Sequence, residues 1–456
     1  MNCMLVLRVF ALLMLCSLAS EFAHAADPQK RNVLWIVVDD LNTDLACYGQ
    51  SLVHSPNIDK LAARGVRFDR AYAQYALCNP SRSSFLSGYS PDRTRVIEQE
   101  PRARDALPDA IFLPQLFKQN GYFVAAAGKL HHGGKHIDRP SWDSYEDSAG
   151  SDAQEAAAKK ERSGNPDRTP RWVQLEGPAD QTQDGTNTRT ITRLLKEKSR
   201  ASQPFFLALG LHKPHVPWTA PRQMFNYYPP GQMPRRDWLT GENIPQIALQ
   251  TEWPIGTKAA SQTEGLAAYL ACVSFTDSNV GQVMQTLDAL DLWKNTVVVF
   301  MGDHGFHLGD HGLWSKKTLF EQSLRVPMVI VSPDGQSAGR VCRRTVQLVD
   351  IYPTMAELCG LKAPADLDGA SLQVLLRDPD APWSRPAFSQ VMHEGVPGRS
   401  VRTERWRYTE WDGGKAGREL YDHDLDPLEL QNRAGAHELA APQLELSRLL
   451  SAQKSS

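Results

Sequence analysis

Val33-Leu34-Trp35-Ile36-Val37-Val38-Asp39-Asp40 is an apolar run without polar alternation that ends on two carboxylates. A short run of that kind suits a strand buried on both faces, the condition of a parallel sheet covered by helices on either side. Further runs read the same way: Tyr122-Phe123-Val124-Ala125-Ala126, Phe205-Phe206-Leu207-Ala208-Leu209, Val297-Val298-Val299-Phe300 and Met328-Val329-Ile330-Val331. Between them lie helical patterns at about 113 to 120, 188 to 198, 262 to 291 and 350 to 360. Strands alternating with helices predict an α/β fold, with one central sheet flanked by helices.

The chain has 456 residues, more than one hydrophobic core usually supports, so a large domain and a smaller one are expected. It opens Met1-Asn2-Cys3-Met4, runs through apolar residues from Val9 to Leu18 and reaches Ala23-His24-Ala25. That order predicts a secretory signal peptide over 1–25 and an exported, periplasmic or extracellular product. No later stretch offers about 18 consecutive apolar residues, so stable membrane insertion is not expected. Residues 26–382 read as the large domain. Within it, 136–187 is rich in Ser, Asp, Gly, Pro and Lys and reads as a surface insertion with one short helix. Residues 383–456 read as a smaller α+β subdomain. Its strands run from Ser400-Val401-Arg402-Thr403 through Trp406-Arg407-Tyr408-Thr409, paired with Glu419-Leu420-Tyr421, and its closing helix from about Glu438 to Leu450.

The formal net charge is −2 and both signs are dispersed, which argues against a nucleic-acid surface. Beyond the signal, Cys47, Cys78, Cys272, Cys342 and Cys359 are far apart and contain no CxxC pair. That spacing argues against a disulfide scaffold or a structural zinc site.

In open α/β sheets, catalytic groups gather beyond the carboxyl ends of strands. The first run delivers Asp39-Asp40 there, and the run ending at Met301 delivers Gly302-Asp303-His304-Gly305. Taken alone, the Asp pair reads equally well as a cap or a solvated turn. Three carboxylates brought together call for a cation. Cys78-Asn79-Pro80-Ser81-Arg82, continued by Ser83-Ser84-Phe85-Leu86-Ser87-Gly88, places a cysteine four residues before an arginine at a helix start. Pro80 suits the first helical position, and the free amides of that turn attract an oxyanion. A lone cysteine of this kind is more often simply buried beside a turn. Gly128-Lys129-Leu130-His131-His132-Gly133 and Leu211-His212-Lys213-Pro214-His215-Val216-Pro217 add basic clusters at two more strand ends. A single such histidine is usually a surface or satisfied core residue; paired clusters beside a nucleophile motif favour an anion site.

The Cys78 motif resembles the type I, formylglycine-dependent sulfatase signature, with Ser87 where that family usually carries Thr. Further segments share the likeness, from His54-Ser55-Pro56-Asn57 and Gly65-Val66-Arg67-Phe68 to Arg405-Trp406-Arg407-Tyr408-Thr409, so it spans nearly all of the chain beyond the signal. Within the family these segments look most like the iduronate-2-sulfatase branch and its bacterial relatives. The resemblance implies an alkaline-phosphatase-like sandwich with a mostly parallel mixed sheet, plus a C-terminal subdomain with a short antiparallel sheet. It implies a metal site of Asp39, Asp40, Asp303 and His304, completed by formylglycine at position 78. Oxygen ligands suit Ca²⁺; an imidazole at 304 leaves softer divalent ions open. It implies Arg82, Lys129, His132, His215 and Lys316 as the remaining catalytic residues. Here the motif spacing also admits His131 for His132, His212 for His215 and Lys317 for Lys316.

The implied partners are a sulfated saccharide and, during maturation, a formylglycine-generating enzyme. The implied reaction is attack on sulfur by the hydrated aldehyde of residue 78, with cations on the sulfuryl oxygens. His215 protonates the departing alcohol and His132 deprotonates the second hydroxyl, so that the aldehyde re-forms and sulfate leaves. The expected substrate is a 2-O-sulfated uronic acid of a polysaccharide. Two other readings stand beside it. One is a phosphodiesterase or phosphonate monoester hydrolase on the same fold, and the other a non-catalytic sulfoglycan-binding relative with an unmodified Cys78.

Overall fold

The computed structural model describes residues 30–147, 172–236, 240–250 and 259–453. The stretch read as a signal peptide lies outside these residues, as does 148–171 of the interval read as an insertion. The strands of the first three hundred and fifty or so positions are, in chain order, β1 (Asn32–Val38), β2 (Val66–Tyr72), β3 (Phe123–Gly128), β4 (Ser144–Glu146), β5 (Trp172–Leu175), β6 (Phe205–Leu211), β7 (Trp218–Pro221), β8 (Thr296–Gly302), β9 (His307–Leu308), β10 (Trp314–Ser315), β11 (Arg325–Val331) and β12 (Val341–Gln347).

An 8-stranded sheet takes the order β12-β2-β11-β8-β1-β6-β3-β4. β11 pairs antiparallel with β8 and with β2, while the other pairings are parallel. The sheet is thus mixed but mostly parallel, as expected. β1 sits near its middle, and every one of its residues is buried. Leu34, Ile36 and Val38 enter one apolar layer with Leu266, Leu270 and Val273 of the helix Ala259–Ala289. Val33, Trp35 and Val37 enter the other with Phe85, Phe117, Tyr352 and Met355. Burial on both faces is why the run shows no alternation.

The long helix and those at Leu113–Gln119 and Ile351–Leu358 fall close to their expected places. The helix expected at 188 to 198 begins earlier, at Gln183. Thr182 caps it, its Oγ1 accepting from Gly185 N at 3.1 Å. Gln183, Asp184, Gly185 and Asn187 are buried, so the polar end of the supposed surface insertion is packed into the protein. At the other end of that interval, β4 forms an edge strand beside β3.

Past β12, β13 (Ala387–His393), β14 (Val396–Arg402), β15 (Trp406–Trp411) and β16 (Gly417–Asp422) form an antiparallel sheet, which the helix Ala440–Gln453 follows. Arg407 of β15 reaches Glu321, 2.6 Å away, and also Glu429. His423 Nε2 lies 2.9 Å from Glu429, and Tyr72 OH donates to Glu321 at 2.9 Å. These buried carboxylates are satisfied by arginine, histidine and tyrosine, so the cluster ties the small sheet to the segment that precedes β11.

Candidate active site

The helix Cys78–Ser87 is buried along its whole length. Cys78 is its first residue, after Leu77 at the cap, so Pro80 sits at the third helical position and not the first. The correction is small physically, because the amide missing at that position would have had no helical partner. Ser81 Oγ donates to the carbonyl of Asp303 at 2.5 Å. Arg82 Nε donates to Asp303 Oδ2 at 3.0 Å, its Nη2 lies 3.2 Å from Asp39 Oδ1, and its Nη1 donates to the carbonyl of Lys129. One buried guanidinium therefore gathers the ends of β1, β3 and β8. Close approach of β3 and β6 depends on Gly128, at φ +80: a Cβ there would lie 2.0 Å from the carbonyl oxygen of Gly210.

Around Cys78 Sγ stand Lys316 Nζ at 3.2 Å, Asp39 Oδ1 at 3.3 Å, His304 Nε2 at 3.4 Å and Lys129 Nζ at 3.8 Å. Lys129 also pairs with Asp39, and Lys316 with Asp40. Donor atoms of Asp39, Asp40, Cys78 and His304 all lie within 4.8 Å of one another. Asp303 adjoins them, its Oδ2 3.6 Å from His304 Nε2.

The donor set fits a divalent cation. Asp40 Oδ2 is buried without a hydrogen-bond partner. Asp40 itself is held at φ 61, a conformation unfavourable for a residue with a Cβ. Its N–H donates to Asp303 Oδ1 at 3.1 Å, and its carbonyl accepts from Tyr269 OH at 2.8 Å. Burial raises the Asp40 and Asp303 carboxyls above their usual range, with neighbouring carboxylates adding to the rise and Lys316, Arg82 and His304 opposing it. For Asp39, burial is outweighed by Lys129, His215 and Arg82, which hold the carboxyl well below that range. His304 Nδ1 faces the carbonyl of Gly305 at 2.9 Å, so Nε2 is the ring nitrogen turned toward Cys78, Asp40 and Asp303.

A family model described as Sulfatase matches residues 31–361. The chain belongs to the sulfatase family. A second model, described as N-sulphoglucosamine sulphohydrolase, C-terminal, matches residues 309–456. This sulfatase is 31% identical to iduronate 2-sulfatase of Mus musculus, over 88% of its own chain and 90% of the mouse protein. It is likewise 31% identical to a sulfatase of Formosa agariphila, over 94% of its chain and 88% of that relative. Among solved structures, a phosphonate monoester hydrolase of Agrobacterium radiobacter superposes with a TM-score of 0.77 at 23% identity, covering 93% of this chain and 96% of that one. A 2-O GAG sulfatase superposes at 0.75 with 24% identity, covering 93% and 92%. These two likenesses show the fold. Membership makes the protein an enzyme of sulfate ester hydrolysis, and among its described residues no helix is long and apolar enough to cross a membrane.

The tertiary structure of the sulfatase separates residues that motif spacing left paired. His131 turns into an aromatic pocket: Trp142 Nε1 donates to its Nε2 at 3.4 Å, and burial pushes its pKa down to about 3. His132 stays beside Lys129, and burial, then Lys129, push it down to about 4. His212 is bound to Asp184 through Nδ1 at 3.1 Å and to Gln183 through Nε2 at 3.1 Å. His215 lies in the field of Lys129, Asp39 and Lys316, and burial, then Lys129, hold it well below the usual histidine range. Its Nδ1 donates to the carbonyl of Val216 at 2.6 Å, leaving Nε2 for other work. Lys316 touches Cys78, whereas Lys317 Nζ lies 3.4 Å from Glu98 at the rim. Ser87, the departure from the family's Thr, donates to the carbonyl of Ser83 at 2.6 Å inside the helix. Tyr269 and Asp184 join the site only through the fold. Both hold backbone of the site from a distance in sequence, and neither lies in a motif.

Proposed function

We propose that the protein is an exported sulfatase that removes sulfate from 2-O-sulfated uronic acid residues of a polysaccharide. The observation that carries the reading is the ring of cations and carboxylates around Cys78 Sγ, with Lys316, Lys129 and His304 all within 3.8 Å. The sulfur stands where an oxygen of formylglycine would project after conversion by a formylglycine-generating enzyme. The uronate is suggested by the similarity to iduronate 2-sulfatases of Mus musculus and Homo sapiens, each 31% identical over most of both chains. Residues 26–382 would carry the chemistry and 383–456 the smaller subdomain.

Asp39, Asp40, Asp303 and His304 would hold the cation, with Ca²⁺ expected from the excess of oxygen donors. The ion and the modified residue 78 together supply a nucleophilic oxygen at neutral pH. The chain's own side chains do the rest. Lys129 and Lys316, now paired with Asp39 and Asp40, swing their charge onto the sulfuryl oxygens, and Arg82 keeps the carboxylates in place. His132, neutral at working pH because its pKa is down at about 4, can accept a proton from the second hydroxyl of residue 78. His215 is neutral at rest, since burial and then Lys129 depress it. An arriving sulfate ester offsets the lysine charge, so His215 takes up its proton as substrate binds and gives it to the leaving alkoxide.

The test uses protein coexpressed with a formylglycine-generating enzyme and checked by peptide mass for the loss of about 18 Da at residue 78. Sulfate release is then compared among a 2-O-sulfated uronate disaccharide, a 6-O-sulfated glucosamine and the matching phosphate ester. A preference for the first of at least about tenfold in kcat/KM, near 1.4 kcal/mol, is expected. Equal release from other ring positions or from sugars lacking a uronate would remove the substrate assignment. Faster turnover of the phosphate would favour phosphoryl chemistry. Sulfoglycan binding without turnover, with a thiol at residue 78, would favour a binding protein.

A further inference from the structure

Asp184 is 2% exposed and serves one short segment. Its Oδ1 accepts from His212 N at 2.8 Å and faces His212 Nδ1 at 3.1 Å, and its Oδ2 accepts from Lys213 N at 2.8 Å. Burial works against this carboxylate, yet hydrogen bonds from His212, then those from the Lys213 backbone, keep it ionised. A place in the first turn of the Gln183–Lys198 helix helps. All of these donors belong to the segment that leaves β6 and carries His215.

That segment is pinned again further on. His215 N donates to the carbonyl of His212 at 2.8 Å. Thr276 Oγ1, on the long helix, donates to the carbonyl of Lys213 at 2.8 Å, and Lys213 Nζ donates to that of Pro217, also at 2.8 Å. His212 has both ring nitrogens engaged, by Asp184 and by Gln183. It therefore belongs to the frame, and His215 is the imidazole which that frame presents.

We infer that Asp184 is a positioning residue: by gripping the amides of His212 and Lys213, it sets the place of His215 against the leaving oxygen of the substrate. The inference rests on the reading of His215 as the acid. Misplacing a proton donor by about 1 Å can cost about a hundredfold in rate. Asp184→Asn keeps the shape but turns an NH₂ group toward one of the backbone N–H donors, so the segment must shift. The loss falls on esters whose alcohol needs a proton to depart. It spares an aryl sulfate, whose phenolate leaves unaided.

The experiment compares D184N with the parent enzyme on a 2-O-sulfated uronate disaccharide and on 4-nitrophenyl sulfate, with H215A as reference. D184N is expected to lower kcat on the saccharide about ten- to a hundredfold, with KM within about threefold, and kcat on the aryl sulfate by less than about threefold. If the aryl ester is not turned over, the readout is the ¹⁸O isotope effect at the bridging oxygen of the saccharide sulfate. It should rise in D184N. Equal losses on both esters, or an unchanged isotope effect, would make Asp184 merely structural and overturn the inference. Should H215A itself lose both activities equally, the acid reading of His215 falls, and that failure is visible separately. If D184N does not fold, D184E, which displaces the same grip, is judged by the same ratio.

Discussion

Replacing Tyr269 by Phe removes one oxygen atom and tests how the metal-facing loop is held. The side chain is fully buried. Its hydroxyl donates to the carbonyl of Asp40 at 2.8 Å and accepts from Asn42 N at 3.0 Å. Phe keeps the stacking on Phe306, at 5.9 Å between ring centroids, so the apolar contribution is nearly unchanged. What is lost is the partner of two buried backbone groups, each worth about 1–3 kcal/mol when left unsatisfied, or about 2–6 kcal/mol together. Asp40 at φ 61 also stores about 1–2 kcal/mol of backbone strain, which the weakened latch lets it release. Release moves its carboxylate out of register, so metal affinity should fall by a comparable amount, about five- to thirtyfold. Urea unfolding with an unchanged slope measures the first quantity, and calorimetric titration with Ca²⁺ the second. Stability within about 0.5 kcal/mol of the parent, or below it with unaltered Ca²⁺ affinity, would refute the claim that Tyr269 holds Asp40 in place.

Other outcomes follow from the buried charges. Arg407→Met takes the guanidinium from Glu321 and Glu429, both buried, leaving them to Tyr72, Arg402 and His423, and should destabilise by about 3–5 kcal/mol; a change under 1 kcal/mol in denaturant unfolding would show that the cluster is not coupled as described. Burial alone would raise the Glu429 carboxyl, but Arg407 and His423 outweigh it and bring its pKa down to about 2. Because the folded value lies below the unfolded one, the stabilisation is complete above about pH 4.5 and is lost as pH falls toward 2. The melting-point advantage of the parent over E429Q should shrink across that window, and a constant gap would contradict it. Chelation should abolish sulfate release and added Ca²⁺ restore it, together with a higher melting temperature. Full activity in a chelator would remove the metal from the mechanism.

How much was legible in the chain depends on what each residue packs against. The runs that became β1, β3, β6, β8 and β11 are apolar on both faces, which local composition displays. β2 and β12, reading Val-Arg-Phe-Asp-Arg-Ala-Tyr and Val-Cys-Arg-Arg-Thr-Val-Gln, carry exposed or half-buried polar residues and lack the continuous apolar signal. β13 lacks it for the same reason, its burial alternating along the strand. The first turn of the Gln183–Lys198 helix is polar and shows no apolar periodicity, so composition alone points to a loop there. Among its residues Asp184 holds the amides of His212 and Lys213, and Gln183 meets the His212 ring.

The amino-acid sequence by itself determined the chemistry: a cysteine four positions before an arginine, paired aspartates after one strand, Asp303-His304 after another, and basic clusters after two more. Such features are local, because a strand end hands its next residues to the site. The tertiary structure alone decided that Lys316 and not Lys317 touches Cys78, that His132 and not His131 feels the charge of Lys129 and Asp39, and that His215 and not His212 does the same. Neighbours in sequence share composition but not direction, and burial against Trp142, hydrogen bonds to Asp184, or contact with Glu98 draws one member of each pair away. The supports, Tyr269 and Asp184, act through backbone groups far away in sequence, and only folding brings such a side chain to such a carbonyl or amide.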